Sequence, residues 1–363
     1  MQALRAHSRT SGLKLEETEI PKLGPSDVLI RVVSAGISPG TFKMIQAGKT
    51  RVPSTVGHEA SGTIESMGSD TSGSGLKVGD RVRLHPNLAC RACHHCDAGQ
   101  DSTCERVALI GFSNFGIESE LYDQYHNGGL AEFVRAPHYL VDKLPDCVSF
   151  EVAAKVHDLA TASRALKLVD LRKTSTIILT APTGAMGALT LRLAAIYSVR
   201  HIILVGRSKE RLEQVRSLTS VKTSVLALEP SNGFDPETAN LVSELKTLAP
   251  EGIDAIIDYF PAGNVLNKIV PALRTGGTLV HMGGNSAVLQ MPLMVIMVNS
   301  WKVTGGRANT RLDVHECLEW LSTKQIDIED LFTHKFKMSE IDQALDLLVT
   351  RKEPTWLSVV NMS

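Results

Sequence analysis

The chain has 363 residues, enough for about two domains with sizeable buried cores. Lys and Arg number 38 against 39 Asp and Glu, so no net field favours nucleic acid or anionic lipid, and no basic tract interleaved with aromatics occurs. No run is long enough to span a bilayer, and Met1-Gln2-Ala3-Leu4-Arg5-Ala6-His7 lacks the apolar core of a signal peptide; the expectation is a cytoplasmic protein whose partners are small molecules, with no nucleic acid and no membrane.

The first part of the chain reads as β-rich. Leu13 to Ile20 and Asp27 to Val33 alternate or cluster like strands around a turn at Pro21, Gly24 and Pro25. Short strands continue through Gly57-His58-Glu59-Ala60-Ser61-Gly62-Thr63-Ile64, Val78-Gly79-Asp80-Arg81-Val82 and Leu130-Ala131-Glu132-Phe133-Val134, and Gly68 to Gly75 is a surface turn. Short strands with such punctuation favour a barrel-like module. Within it, Cys90, Cys93, Cys96 and Cys104 form a zinc lobe: four thiolates close a tetrahedral shell with no open position, which makes the site structural. Two disulfides are the alternative, which an intracellular chain disfavours. Arg91, His94, His95 and Arg106 stand near enough in sequence to offset the charge of a tetrathiolate, while Cys147 and Cys317 read as core thiols. Phe112, Phe115, Tyr122 and Tyr125 give the segment from 112 to 125 the composition either of a loop lining an apolar or aromatic substrate or of a plain surface loop.

From about Phe150 the rhythm changes to helices alternating with buried strands. Thr176 to Leu179 leads into Thr180-Ala181-Pro182-Thr183-Gly184-Ala185-Met186-Gly187, a G-x-G-x-x-G pattern whose first glycine is Pro182. Leu189, Leu193 and Ile196 follow at helical spacing, so Thr183, Gly184, Ala185, Met186 and Gly187 lie on a strand-to-helix turn whose free N–H groups suit a phosphate; a tight turn without a ligand is the alternative. The next strand, His201 to Val205, ends about twenty residues past the glycines, where a dinucleotide fold reads the ribose. An acid there would accept the hydroxyls of NAD. The sequence instead places Gly206, Arg207, Ser208, Lys209 and Arg211 there, with nothing to repel a 2′-phosphate. Charge-assisted bonds from Arg207, Ser208 and Lys209 would each contribute about 1.5–3 kcal/mol before screening; an ordinary solvated basic helix start is the alternative, and the missing acid makes NADP(H) the expected cofactor. Strands at Val225 to Leu228, Ala255 to Ile257 and Leu279 to Met282 complete a doubly wound parallel sheet in an α/β fold. Pro236 suits a helix start, and Gly276-Gly277 the end of a helix containing Leu266, Ile269 and Leu273. Helices around Asp313 to Thr323 and Ser339 to Thr350 and a strand at Leu357 to Val360 close the chain and are expected to return to the first module.

Together these residues resemble the zinc-type alcohol dehydrogenases of the medium-chain dehydrogenase/reductase superfamily, over essentially the whole length. The carrying motifs are Gly57-His58-Glu59-x-x-Gly62 with Gly68, the four-cysteine lobe, Gly79-Asp80-Arg81-Val82, Gly129-Leu130-Ala131-Glu132-Phe133-Val134 and the glycine turn. The resemblance implies a GroES-like catalytic β-barrel domain, 1–152 and 305–363 with its zinc lobe at 88–106, interrupted by a Rossmann domain at 153–304, with the active site in the cleft between them. It also implies a homodimer or homotetramer whose Rossmann sheets pair edge to edge, and the apolar run Met291 to Val298 is the expected edge.

The departures fall on the catalytic zinc. Similar members take a first ligand from a cysteine in A-G-[IV]-C-x-[ST]-D; here the stretch reads Ala35-Gly36-Ile37-Ser38-Pro39-Gly40-Thr41, and the position of the relay histidine is Lys43. A serine hydroxyl stays protonated near neutral pH and is a poor zinc ligand. The second ligand is His58, and the third falls on His157, with Asp158 next, to within about a residue. Ser38-Pro39-Gly40-Thr41 also resembles the N-P-x-D turn of zinc-free quinone oxidoreductases in the superfamily. Two readings follow. In the favoured one, an NADP(H)-dependent reductase without catalytic metal uses Ser38, Thr41, Lys43, His58 and His157 to orient a small carbonyl or activated C=C or C=N substrate and supply a proton. In the other, His58, His157 or Asp158, and Glu59 hold a zinc that polarises a carbonyl as a Lewis acid. His157 also has a bland reading, as a histidine packed at a helix, and the whole chain a non-enzymatic one, as an inactive cofactor-binding scaffold.

Overall fold

The computed structural model describes residues 1–169, 171, 175–230, 235, 237 and 239–362. The chain divides into two compact units, residues 1–157 with 310–363 and residues 158–309. Both boundaries lie a few residues further along than 152/153 and 304/305.

The first unit is built around the strand Asp27–Gly36, whose Val28, Leu29, Ile30, Val32 and Ala35 are all buried. Such near-continuous burial is what a strand with covered faces requires, and this one pairs antiparallel with Ala60–Met67, Phe133–Pro137 and Leu357–Asn361. The path of the sheet runs Val141–Lys143, Arg81–Leu84, Ala60–Met67, Asp27–Gly36, Leu357–Asn361, Phe332–Lys337, with Phe133–Pro137 also on Asp27–Gly36. A smaller sheet joins Leu13–Glu17, Gln2–Ala6 and Ser54–Thr55. One core runs through both, from Leu4 through Ile30, Ile64 and Leu84 to Val360. The last strand of the chain thus pairs with the central strand of this unit.

In the second unit six strands lie parallel in the order Lys222–Ala227, His201–Gly206, Thr176–Thr180, Ile253–Asp258, Leu273–His281, Lys302–Gly305. This is the strand order of a dinucleotide-binding sheet, with its switch point beside the first strand, Thr176–Thr180. The fold is therefore α/β, a largely antiparallel β unit followed by a doubly wound parallel sheet, as the resemblance implied.

Three local expectations need correction or qualification. Gly276-Gly277 does not end a helix. The helix Val265–Ile269 gives way to a single 3-10 turn, Val270–Ala272, at Pro271, which cannot continue it, and Leu273 opens the next strand. The glycines fall where that strand slips register between Ile253↔Leu273 and Ala255↔Thr278, a bulge that Gly276 accommodates with φ +76°. Pro236 lies outside the described residues; the helix there is Leu241–Leu248, capped by Asn240, which accepts from Ser243 N at 3.1 Å. Met291 to Val298 is not a strand edge. It holds the helix Leu293–Asn299, and the edge strand is Lys302–Gly305.

Candidate active site and metal lobe

The sulfur atoms of Cys90, Cys93, Cys96 and Cys104 all lie within 4.8 Å of one another, with Cys90 Sγ 3.9 Å and Cys93 Sγ 3.6 Å from Cys96 Sγ. Zinc–sulfur bonds of about 2.3 Å in a tetrahedron set sulfurs at about this spacing, so the four residues fit a structural zinc. The thiols are unequal. The N–H of Ala92 holds Cys90 down to about 6, and burial, helped by Cys93, pushes Cys96 up to about 12. Arg106 bonds to Cys90 and gains stability for its charge, as expected of a group offsetting thiolate, whereas Arg91 lies over the Tyr139 ring at 4.2 Å. Asp101 ties the lobe to its unit: its Oδ2 is bonded by His85 and Asn87, and its Oδ1 accepts from Arg311 N at 3.0 Å.

The residues expected around substrate lie on two neighbouring segments of the first unit, joined by Gly36, which meets Glu59, and by Gly40, beside the Phe112 ring that packs on His58. Ser38 is the N-cap of the helix Pro39–Gln46, its Oγ accepting from Gly40 N at 3.2 Å, with Pro39 at the first helical position. Thr41 is buried in that helix, and burial together with Arg351 holds the half-buried Lys43 ammonium below its usual 10.5. His58 and Glu59 lie on the second segment. The His58 ring lies 4.6 Å from Phe112 and 4.9 Å from His157, edge-on to the latter, and its Nε2 is 3.4 Å from Glu59 Oε1. Glu59 Oε2 accepts from Lys155 Nζ at 2.6 Å, and both side chains are buried. Burial, and then the basic groups His58, Arg83, His85 and Lys155, hold His157 well below 6.5, so its imidazole is neutral. Gly36 makes room for the carboxylate: a Cβ there would stand 1.8 Å from Glu59 Oε2. Asp158 begins the second unit and is half-buried.

The sequence marks Lys155 only as a lone lysine within Val152-Ala153-Ala154-Lys155-Val156. The aromatic segment also needs correction. Phe112 stands against His58 and meets Phe115 at 6.3 Å, but Tyr122 and Tyr125 lie on the helix Glu120–Tyr125 and are buried in the core, with the Tyr125 hydroxyl donating to Asp27 Oδ1 at 2.6 Å.

In the second unit, Gly184 is the N-cap of the helix Ala185–Leu193 and no side chain caps the free amides of that end, as a phosphate site needs. Thr183, Ala185 and Met186 are half-buried around it, and Gly187 is buried where a Cβ would come 2.3 Å from Pro182 Cα, so only glycine lets the helix meet the turn. The left-handed angle of the turn falls on Ala181, φ +45°. His201–Gly206 ends at Gly206, followed by exposed Arg207; Ser208 caps the helix Lys209–Val215, accepting from Arg211 N at 3.4 Å. The expectation that nothing there repels a phosphate is corrected by Glu229, which arrives from beyond the neighbouring strand and accepts from Lys209 N at 3.0 Å. Buried Asp258 fixes the carboxyl edge of the sheet, accepting from Thr180 Oγ1 at 2.6 Å and bonding His281 Nδ1 at 2.7 Å. Neither Asp258 nor His281 stands out in the sequence, because no motif contains them.

Two family models match. The one described as "Alcohol dehydrogenase GroES-like domain" covers residues 24–146, and the one described as "Zinc-binding dehydrogenase" covers residues 185–323. Together they span more than half of the chain. Among curated relatives, "Probable D-xylulose reductase A" of Aspergillus fumigatus is 27% identical over 343 residues, 92% of this chain and 89% of the relative. "L-idonate 5-dehydrogenase" of Vitis vinifera is 28% identical over 340 residues, covering 91% and 86%. Among solved structures, an Escherichia coli CFT073 alcohol dehydrogenase complexed with NADH aligns with TM-score 0.84 at 22% identity over 100% and 99% of the two chains. A putative zinc-binding dehydrogenase of Sinorhizobium meliloti 1021 bound to NADP aligns with TM-score 0.79 at 22% identity over 99% and 98%. At that identity the structures show the fold alone. The four-cysteine lobe, the parallel sheet with its glycine turn and the two matched family models lead to one conclusion: the chain belongs to the medium-chain dehydrogenase/reductase superfamily, as a zinc-type alcohol dehydrogenase-like oxidoreductase.

Proposed function

We propose that the protein is an NADP(H)-dependent oxidoreductase that transfers hydride to a small apolar or aromatic carbonyl, or to an activated C=C or C=N bond, without a catalytic zinc. In this reading Cys90, Cys93, Cys96 and Cys104 hold a structural zinc. The observation that carries the metal-free part is the Ser38 cap: the side chain at the position where similar members offer a thiolate is a neutral hydroxyl already accepting from Gly40 N. Glu229 argues for a weaker preference for NADP(H) than the basic run alone suggests, and Arg207, Ser208, Lys209 and Arg211 argue for keeping it.

When bound, the reduced nicotinamide supplies the hydride. This chain's residues do the rest. Ser38 and Thr41 present hydroxyls at the start of one helix, Lys43 carries an ammonium whose proton burial makes easier to release, and His58 and the neutral His157 orient the substrate. Phe112 packs an apolar ring against His58 and supports an apolar or aromatic substrate. The second reading, a zinc-dependent alcohol dehydrogenase or ketone reductase using His58 with His157 or Asp158, is favoured by one observation: His58 and His157 meet ring to ring in a buried place, and His157 is held in the neutral form a metal accepts. A homodimer or homotetramer belongs to the proposal too, because Leu293, Met294, Met297 and Val298 on the helix Leu293–Asn299 are 82, 70, 71 and 66% exposed beside the edge strand Lys302–Gly305.

The test is NADPH oxidation over a panel of aldehydes, ketones, enones and quinones, with protein whose cysteine lobe is loaded and whose buffer holds a chelator. Turnover of at least one class is expected. Turnover that appears only on adding zinc would replace this reading with the zinc-dependent one, and none under either condition would leave an inactive scaffold.

A further inference from the structure

Lys155 is the one charged residue in the run from Val152 to Val156 of the helix Phe150–Lys167, and its side chain is 2% exposed. Burying an ammonium is costly unless it is paired. Here its Nζ lies 2.6 Å from Glu59 Oε2 in a carboxylate that is itself fully buried. Glu59 Oε1 is 3.4 Å from His58 Nε2, and His58 packs edge-on against His157 at 4.9 Å. One carboxylate and two imidazoles are a donor set that zinc accepts. Among the described residues, however, the ligand atoms of three or more His, Cys, Asp or Glu converge as a metal shell at the four cysteines and not here.

We propose that Lys155 is a built-in cation that takes the electrostatic place of a divalent metal in this pocket, engaging Glu59 so that Glu59, His58 and His157 do not close on an ion. The inference rests on the metal-free reading above and names the residue responsible for it. The backbone is shaped for the pairing: with no Cβ at Gly36, the carboxylate lies against the Gly36 backbone, whose N–H donates to Glu59 O at 2.8 Å, while its Oε2 meets the ammonium. The surroundings point the same way. His58, Arg83, His85 and Lys155 all disfavour a further positive charge at His157, and a dication would meet that same field. Lys155 is thus a positioning residue, acting through Glu59 and His58.

Cobalt(II) is the probe, because its thiolate charge-transfer bands report the cysteine lobe and its nitrogen–oxygen d–d bands report this pocket separately. Wild-type protein prepared with Co²⁺ as its only divalent metal should hold one equivalent, with the thiolate signature. Lys155→Met should take up a second equivalent with nitrogen–oxygen bands, and added Co²⁺ should raise its melting temperature beyond the effect seen in wild type. The double variant Lys155→Met/Glu59→Gln should return to one equivalent. If Lys155→Met does not fold, Lys155→Gln, which keeps a donor to Glu59 without the charge, carries the same expectation. Folded Lys155 variants that stay at one equivalent while wild type also binds one would overturn the role of Lys155 and leave the metal-free reading standing. A second equivalent in wild-type protein, bound with nitrogen–oxygen bands, would overturn the metal-free reading itself.

Discussion

Glu229→Gln should strengthen NADPH binding and leave NADH binding nearly unchanged. Lys209 N donates to Glu229 Oε1 at 3.0 Å. A 2′-phosphate that took over this N–H would sit roughly 5 Å from the carboxylate, a repulsion of about 1–3 kcal/mol for effective dielectric constants between water and a protein surface. Arg207, exposed just past Gly206, offers the same phosphate a charge-assisted bond of about 1.5–3 kcal/mol. The two terms nearly offset each other, and salt screens both, so wild-type protein should prefer NADPH by about fivefold, or ~1 kcal/mol. Removing the carboxylate should widen that ratio by about tenfold, and Arg207→Ala should erase it. Fluorescence titration with each reduced cofactor at one fixed ionic strength reads both ratios. A Glu229→Gln protein with an unchanged NADPH dissociation constant would mean that the phosphate does not approach this helix end, and the electrostatic reasoning would be wrong.

Cys93→Ser should lose the lobe's zinc and unfold at a markedly lower temperature, since structural zinc in small sites contributes on the order of 10 kcal/mol of apparent binding energy; metal analysis with thermal melts checks both. Gly36→Ala should expel Glu59 from its position, because the new Cβ would stand 1.8 Å from Oε2. It should cost about 1–3 kcal/mol by overpacking, read by urea unfolding, and lower turnover with it. Burial holds the His201 imidazole below 6.5, with Lys222 and Arg200 adding to it. The folded chain therefore keeps it neutral while the unfolded chain takes a proton, so its contribution is complete above pH 6.5 and is lost on acidification at up to about 1.4 kcal/mol per pH unit. His201→Gln, which can keep the bond to Ser224 Oγ, should flatten that part of the stability–pH curve. Leu293→Asp with Met297→Asp should lower the oligomeric state seen by light scattering while leaving the unfolding midpoint of the first unit in place.

What could be read in the sequence is what residue type alone enforces. Thiol spacing brings Cys90, Cys93, Cys96 and Cys104 together, because the fourth ligand follows within a short loop. Gly187 announces a helix pressed against its turn, and the five buried residues of Thr176–Thr180 a covered strand. What escaped depends on contacts across long separations. Glu59 and Lys155 lie 96 residues apart, and nothing local to either marks the pair. Glu229 reaches Lys209 from beyond a neighbouring strand and so alters a site for which the sequence offered Gly206, Arg207, Ser208, Lys209 and Arg211, all basic or neutral. Gly276-Gly277 misled for a different reason: glycine after an apolar helical run suits a cap, yet Pro271 had already ended the helix and the glycines serve a bulge. Met291 to Val298 misled because an apolar run has no period of its own to separate a helix from an edge strand.

The claim that most needs testing is that the protein carries one metal ion, in the cysteine lobe, and performs its chemistry without another. Elemental analysis of purified wild-type and His58→Ala proteins addresses it directly. The account predicts one zinc per chain in both, with turnover altered in the variant alone. Two zinc ions per chain in the wild type, one of them lost in His58→Ala, would contradict it.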